Sequence, residues 1–127
     1  MKKKIIDSNF GVMKLYKENC YSVVTKWNRD LDIRLFINVE IESSEINFSK
    51  AWDLFNDIKK KEPGLFKKAI KKARANEYKD DFFYSDISLE IFENGEGHIV
   101  YLLFMVGPLI IEFSNNAVFE DAYVMGG

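Results

Sequence analysis

The stretch LDIRLFINVEI, Leu31 to Ile41, alternates apolar and polar residues, and a few residues later the apolar spacing changes to that of a helix. A period of two turns Leu31, Ile33, Leu35, Ile37, Val39 and Ile41 to one face of a strand and Asp32, Arg34, Phe36, Asn38 and Glu40 to the other. Beyond it, Phe48, Ala51, Trp52, Phe55 and Ile58 recur at the spacing of one helical face, with Asn47 placed to cap the first turn. A half-apolar strand and an amphipathic helix must each bury one face, so a chain that makes this switch packs helix against sheet.

Other segments extend the pattern. FGVMKLY (Phe10 to Tyr16) and YSVVTKW (Tyr21 to Trp27) are rich in β-branched and aromatic residues, and with the alternating strand they form a three-stranded antiparallel meander. Pro63-Gly64 punctuates the helical stretch. Leu65, Phe66, Ala69, Ile70 and Ala73 then resume the helical spacing as far as about Tyr78, so two helices in succession form a hairpin. SDISLEI alternates again, Asn94-Gly95 supplies a tight turn, and HIVYLLFMV, PLIIEFS and AVFEDAYVM follow as strands, with Asn115-Asn116 between the last two. The unbroken apolarity of His98 to Val106 reads as a central strand covered on both faces. The expected fold is one α+β domain over residues 1–127: an antiparallel sheet of about seven strands with an inserted two-helix hairpin, in the order β-β-β-α-α-β-β-β-β.

The residue inventory narrows the chemistry. One cysteine, Cys20, forms no internal disulfide, and one histidine, His98, completes no His or Cys metal cluster, which suits a reducing cytoplasm. Lys2 to Lys4 are followed only by Ile5 and Ile6 before Asp7, far short of the apolar core of an export signal. The run Ile99 to Ile111 is shorter than a membrane-spanning helix and is broken by Gly107-Pro108. Asn28, Asp30 and Asp32 imitate the start of a calcium loop, but Ile33 and Val39 occupy its glycine and glutamate positions, so the stretch reads as a turn. Phosphate loops, nucleophile elbows and dinucleotide fingerprints are absent. Cys20 and His98 both open strands among apolar residues, the setting of a packed thiol and a rim imidazole rather than of a nucleophile and its base. The expectation is a protein with no catalytic residue, no metal and no cofactor.

Charge is unevenly distributed within a net value of −2. GLFKKAIKKARANEYKD places Lys67, Lys68, Lys71, Lys72 and Arg74 outside the apolar positions of a helix, where a solvated face carries charge. No aromatic readers interleave them and the domain is not basic, which argues against nucleic acid, and the helix needs its apolar face for the core, which argues against a membrane. Residues 79–127 instead hold nine acidic groups against Lys79 alone, a single-sign field of the kind that steers a basic partner. The candidate partner-binding set is Asp80, Asp81, Asp86, Glu90, Glu93 and Glu96, with Tyr84 and Phe92 as aromatic anchors.

From Phe10-Gly11 through Trp27, the alternating strand and the closing LFMVGPLIIEFSNNAVFEDAYVMGG, the chain resembles a bacterial family of uncharacterised small domains. In that family the penultimate strand is entered through Phe-x-x-Gly-His followed by alternating apolar residues, and the last strand ends Ala-x-x-x-Gly. Phe104, Gly107 and Ile110 match the first pattern, and Ala122 with Gly126 match the second. Pro108 stands where the histidine would be, so no role of that histidine carries over. The resemblance implies an immunity-type protein that neutralises a bacterial toxin in the cytoplasm. If the toxin is a nuclease with a basic groove, the acidic stretch from Asp80 to Glu96 is the plug. Two readings from other classes stay open: a small-molecule binder or enzyme with an aromatic-lined pocket, and a homo-oligomer joined sheet to sheet through Phe36 and Phe92.

Overall fold

The computed structural model describes residues 2–40, 46–72, 84–103 and 107–125, the side chains of Tyr84 and Ser85 excepted. Four strands come first, β1 (Lys4–Asp7), β2 (Gly11–Lys17), β3 (Cys20–Asn28) and β4 (Leu31–Asn38), then one helix, α1 (Ser49–Lys72). Four more strands follow, β5 (Tyr84–Ile91), β6 (Gly97–Leu103), β7 (Gly107–Ser114) and β8 (Val118–Val124), with a 3-10 turn at Asn115–Ala117. All eight described strands join one sheet in chain order, β1 to β8. Neighbours are antiparallel except β4 and β5, which are parallel. Short turns return the chain antiparallel, whereas the connection through α1 carries it back across the sheet before β5 begins, and that crossover is what makes one pair parallel.

Among the described residues the helical hairpin expected from the sequence is therefore corrected to a single 24-residue helix with Pro63 inside it, Ala73 to Tyr78 lying outside those residues. The apolar period runs through the proline without a phase change: Phe55, Ile58, Leu65 and Ala69 are all buried. Proline removes one backbone donor and crowds the preceding turn, but a continuous packed face outweighs that local penalty. The sheet is corrected as well, from about seven antiparallel strands to eight in a mixed sheet, because KIID at Lys4–Asp7 pairs with β2 and adds a strand. Its alternation is only four residues long and sits among lysines, too little for a periodicity argument.

Inward residues of the sheet and the buried side of α1 form one core, including Met13, Tyr21, Ile33, Leu35, Leu89, Ile99, Tyr101 and Ile111. Aromatic rings join sheet to helix: Phe10 meets Trp52 at 5.0 Å between centroids, and Phe66 meets Tyr101 at 4.9 Å. Buried phenols have partners. Tyr21 donates to the Lys2 carbonyl at 2.6 Å, and Tyr101 donates to Glu62 on α1 at 2.8 Å. No described element covers the other side of the sheet. The expected double cover on the His98 segment is corrected accordingly, since Leu102 on β6 is exposed while Ile99, Tyr101 and Leu103 are buried. That strand is apolar on both sides although only one side meets the helix.

Candidate functional site

The uncovered face is organised in rows. Strand register sets Lys4, Lys14, Ser22, Phe36, Glu90, His98, Glu112 and Asp121 in line across all eight strands. The adjacent row runs Val24, Arg34, Ser88, Val100, Ile110 and Tyr123, with the Ile6–Val12 pair extending it on β1 and β2. The first four strands bring Lys4, Lys14, Lys26 and Arg34 to this face, with Asp32 bridging Lys26 at 3.3 Å. The last four bring Asp86, Glu90 and Glu112, while Asp121, in the same row on the edge strand β8, lies 3.9 Å from Lys72 of α1. Chain order along the sheet thus converts an imbalance in the sequence into a spatial division of charge.

The candidate residues fall into three groups. Asp80 and Asp81 lie outside the described residues, and Tyr84 is placed only as the first residue of β5. Asp86 and Glu90 do share the outward face of β5, but both are engaged. Asp86 accepts from Arg34 at 3.0 Å. Glu90, with 19% of its side chain exposed, accepts from the Asn38 amide at 2.9 Å and lies 3.5 Å from His98 Nε2. Phe92, Glu93 and Glu96 are exposed at the β5–β6 turn. That turn is built by Asn94 and Gly95. The Asn94 carboxamide accepts from the Glu96 amide at 3.0 Å, and Gly95 takes φ +87°, where a side chain would also strike Asn115.

A concavity of about 580 Å³ opens between this turn and the β7–β8 turn, lined by Phe92, Glu96, His98, Glu112, Ser114 and Glu120 among others. No lysine or arginine lines it. Phe92, 37% exposed, leans on His98 at 5.8 Å between ring centroids. Glu112 and Glu120 were not among the candidates, since they lie far from Asp80–Glu96 in sequence. Outward phase on β7 finds Glu112, whereas Glu120 is the extra residue where the β7–β8 register shifts, which alternation does not signal. Glu112 accepts from the Tyr123 hydroxyl at 3.1 Å, and that hydrogen bond raises the Tyr123 pKa above its ordinary value.

Two other arrangements are less suited to chemistry. Cys20 and His98 are separated by β4 and β5, about 14 Å at the usual ~4.8 Å per strand, so no proton passes directly between them. Burial pushes the Cys20 thiol pKa up, the Glu90 carboxylate adds to the rise, and Lys17 opposes it. A cleft of about 190 Å³ between the end of β4, the start of α1 and the β5–β6 turn is lined by Ile37, Asn38, Lys50, Leu54 and Glu93 among others. It falls below the roughly 300 Å³ at which ligand pockets begin. Among the described residues no group of three or more His, Cys, Asp or Glu is placed to hold a metal ion, and no helix is long and apolar enough to cross a membrane.

Comparison of the chain with family models, with curated proteins and with solved structures finds no match. The acidic concavity therefore stands on its own geometry.

Proposed function

We propose that the protein is a non-enzymatic binding module that docks a basic protein at the acidic end of its open sheet face. The observation that carries this reading is the concavity ringed by Glu96, Glu112 and Glu120 beside the exposed ring of Phe92, with no lysine or arginine in its wall. Carboxylates in this arrangement raise the encounter rate and set orientation, while a desolvated aromatic anchor supplies most of the affinity. Because Asp86 and Glu90 are held by Arg34, Asn38 and His98, the charge available to a partner belongs to Glu93, Glu96 and Glu120, with Glu112 hydrogen-bonded to the neutral Tyr123 hydroxyl. In the specific form that the sequence resemblance implies, the partner is a bacterial toxin with a basic groove, and the protein inhibits it by occlusion in the cytoplasm.

The test is capture from a native lysate of the cells that make the protein, with the immobilised wild type compared with E93K/E96K/E120K. All three positions are exposed, so the substitutions leave the core untouched. A basic protein retained by the wild type at low salt, released at high salt and absent from the variant is the expected result. Equal retention by both baits, or no retained basic protein, overturns the reading.

A further inference from the structure

The same open face is complementary to itself. A two-fold axis parallel to the strands, lying between β4 and β5 above the face, would set β1 of one copy over β8 of a second, β2 over β7, β3 over β6 and β4 over β5. Isologous pairing of this kind requires a surface whose two halves match under the rotation. In the charged row, Lys14 comes opposite Glu112 of the second copy, while Lys4 comes opposite Asp121, which within its own chain lies 3.9 Å from Lys72 of α1. In the adjacent row, Val24 comes opposite Val100 and Ile6 opposite Tyr123. The central strands carry Asp32, Arg34, Asp86 and Glu90: the rotation sets Asp32 opposite Asp86 and Phe36 opposite Glu90, and each of these charges already has a partner within its own chain, Asp32 on Lys26 at 3.3 Å, Asp86 on Arg34 at 3.0 Å and Glu90 on Asn38 and His98.

Exposure and area point the same way. Ile6 is 84% exposed, Val24 62% and Tyr16 62%, a share of bare apolar side chain on one sheet face that a partner would cover. Eight strands at ~4.8 Å spacing and ~20 Å length give a face on the order of 750 Å² per copy, close to the ~800 Å² a standard stable interface buries on each partner. Two twisted sheets stacked with strands nearly aligned are also a favoured packing.

We infer that two copies of this chain associate face to face, with the β1–β4 half of each on the β5–β8 half of the other. The inference rests on the reading of this face as a docking surface, and it makes the second copy and a basic partner mutually exclusive, since both need Glu112. The two are tested separately, because self-association is measured on the purified chain with nothing added.

Sedimentation equilibrium of the purified chain tests the proposal, with Val24→Asp, Lys14→Glu and Glu112→Lys as variants. The wild type is expected to run as a dimer at micromolar concentration, and Val24→Asp as a monomer with an unchanged circular dichroism spectrum. Lys14→Glu and Glu112→Lys should each be at least tenfold weaker as homodimers. Mixed together they should recover dimer, since both of their junctions again pair opposite charges. A wild type that is monomeric up to hundreds of micromolar overturns the proposal. So does a dimer that ignores all three substitutions, or one in which the mixture shows no recovery.

Discussion

Glu62 and Tyr101 show what a single residue pair contributes and how little of it is legible in the sequence. Tyr101 sits in an apolar run and Glu62 beside the helix-breaking Pro63, yet the fold sets the phenol against the carboxylate at 2.8 Å. Burial raises the Glu62 pKa above its ordinary value, with the Tyr101 hydrogen bond opposing the rise. Since the folded pKa lies above the unfolded one, the native state binds this proton more tightly. Its contribution to stability is full below the ordinary carboxyl range and is lost as pH rises through the raised value. Glu62→Gln keeps an acceptor for Tyr101 but cannot ionise, so its stability relative to wild type should increase between pH 4 and pH 7 in urea unfolding. A constant difference across that range would show that Glu62 is not desolvated. Cys20 gives a second residue-scale expectation. Its thiol is buried and its pKa raised, so a disulfide reagent at pH 8 should modify native protein only at the rate of opening, with prompt labelling in denaturant. Prompt labelling of native protein would place the thiol at the surface.

At the scale of elements, the strands were the readable part. Ile33, Leu35 and Ile37 are buried as their alternation requires, and Phe48, Phe55 and Ile58 as the helical spacing requires. Pro63 suggests a break between two helices, whereas the apolar face keeps the same phase on either side of it and the helix is continuous. This has a measurable consequence. Pro63 is exposed within α1, and proline costs a helix interior about 3 kcal/mol relative to alanine, part of which the packed helix has already absorbed. Pro63→Ala should therefore stabilise the protein by about 1–3 kcal/mol in urea unfolding. A neutral or destabilising result would mean that the helix is interrupted there. Gly97 carries the opposite lesson. Nothing in its sequence context marks it as more than a turn-flanking glycine, yet a Cβ there would collide with the Glu90 carbonyl across the β5–β6 pair and with the Phe113 ring. Gly97→Ala should cost about 2–3 kcal/mol, read as a lowered thermal midpoint. An unchanged midpoint would show that the strand pair can part without loss.

For the whole molecule, the acidic bias of residues 79–127 was visible in the sequence, but not its arrangement. Sequence proximity grouped Asp86 and Glu90 with Glu93 and Glu96. Folding ties the first two to Arg34, Asn38 and His98, and brings Glu112 and Glu120 in from β7 and the β8 edge. These added residues depend on strand order and register, which alternation does not encode. Gathering carboxylates with no lysine or arginine among them at one end of a sheet opposes folding through like-charge repulsion, and a docking role offsets that cost. The most direct measurement is thus a paired one on E93K/E96K/E120K: thermal unfolding of the variant beside its capture of a basic partner from native lysate. The account predicts a midpoint equal to or above that of the wild type together with loss of the captured protein. Retention of the same protein at the same salt by wild type and variant would contradict it.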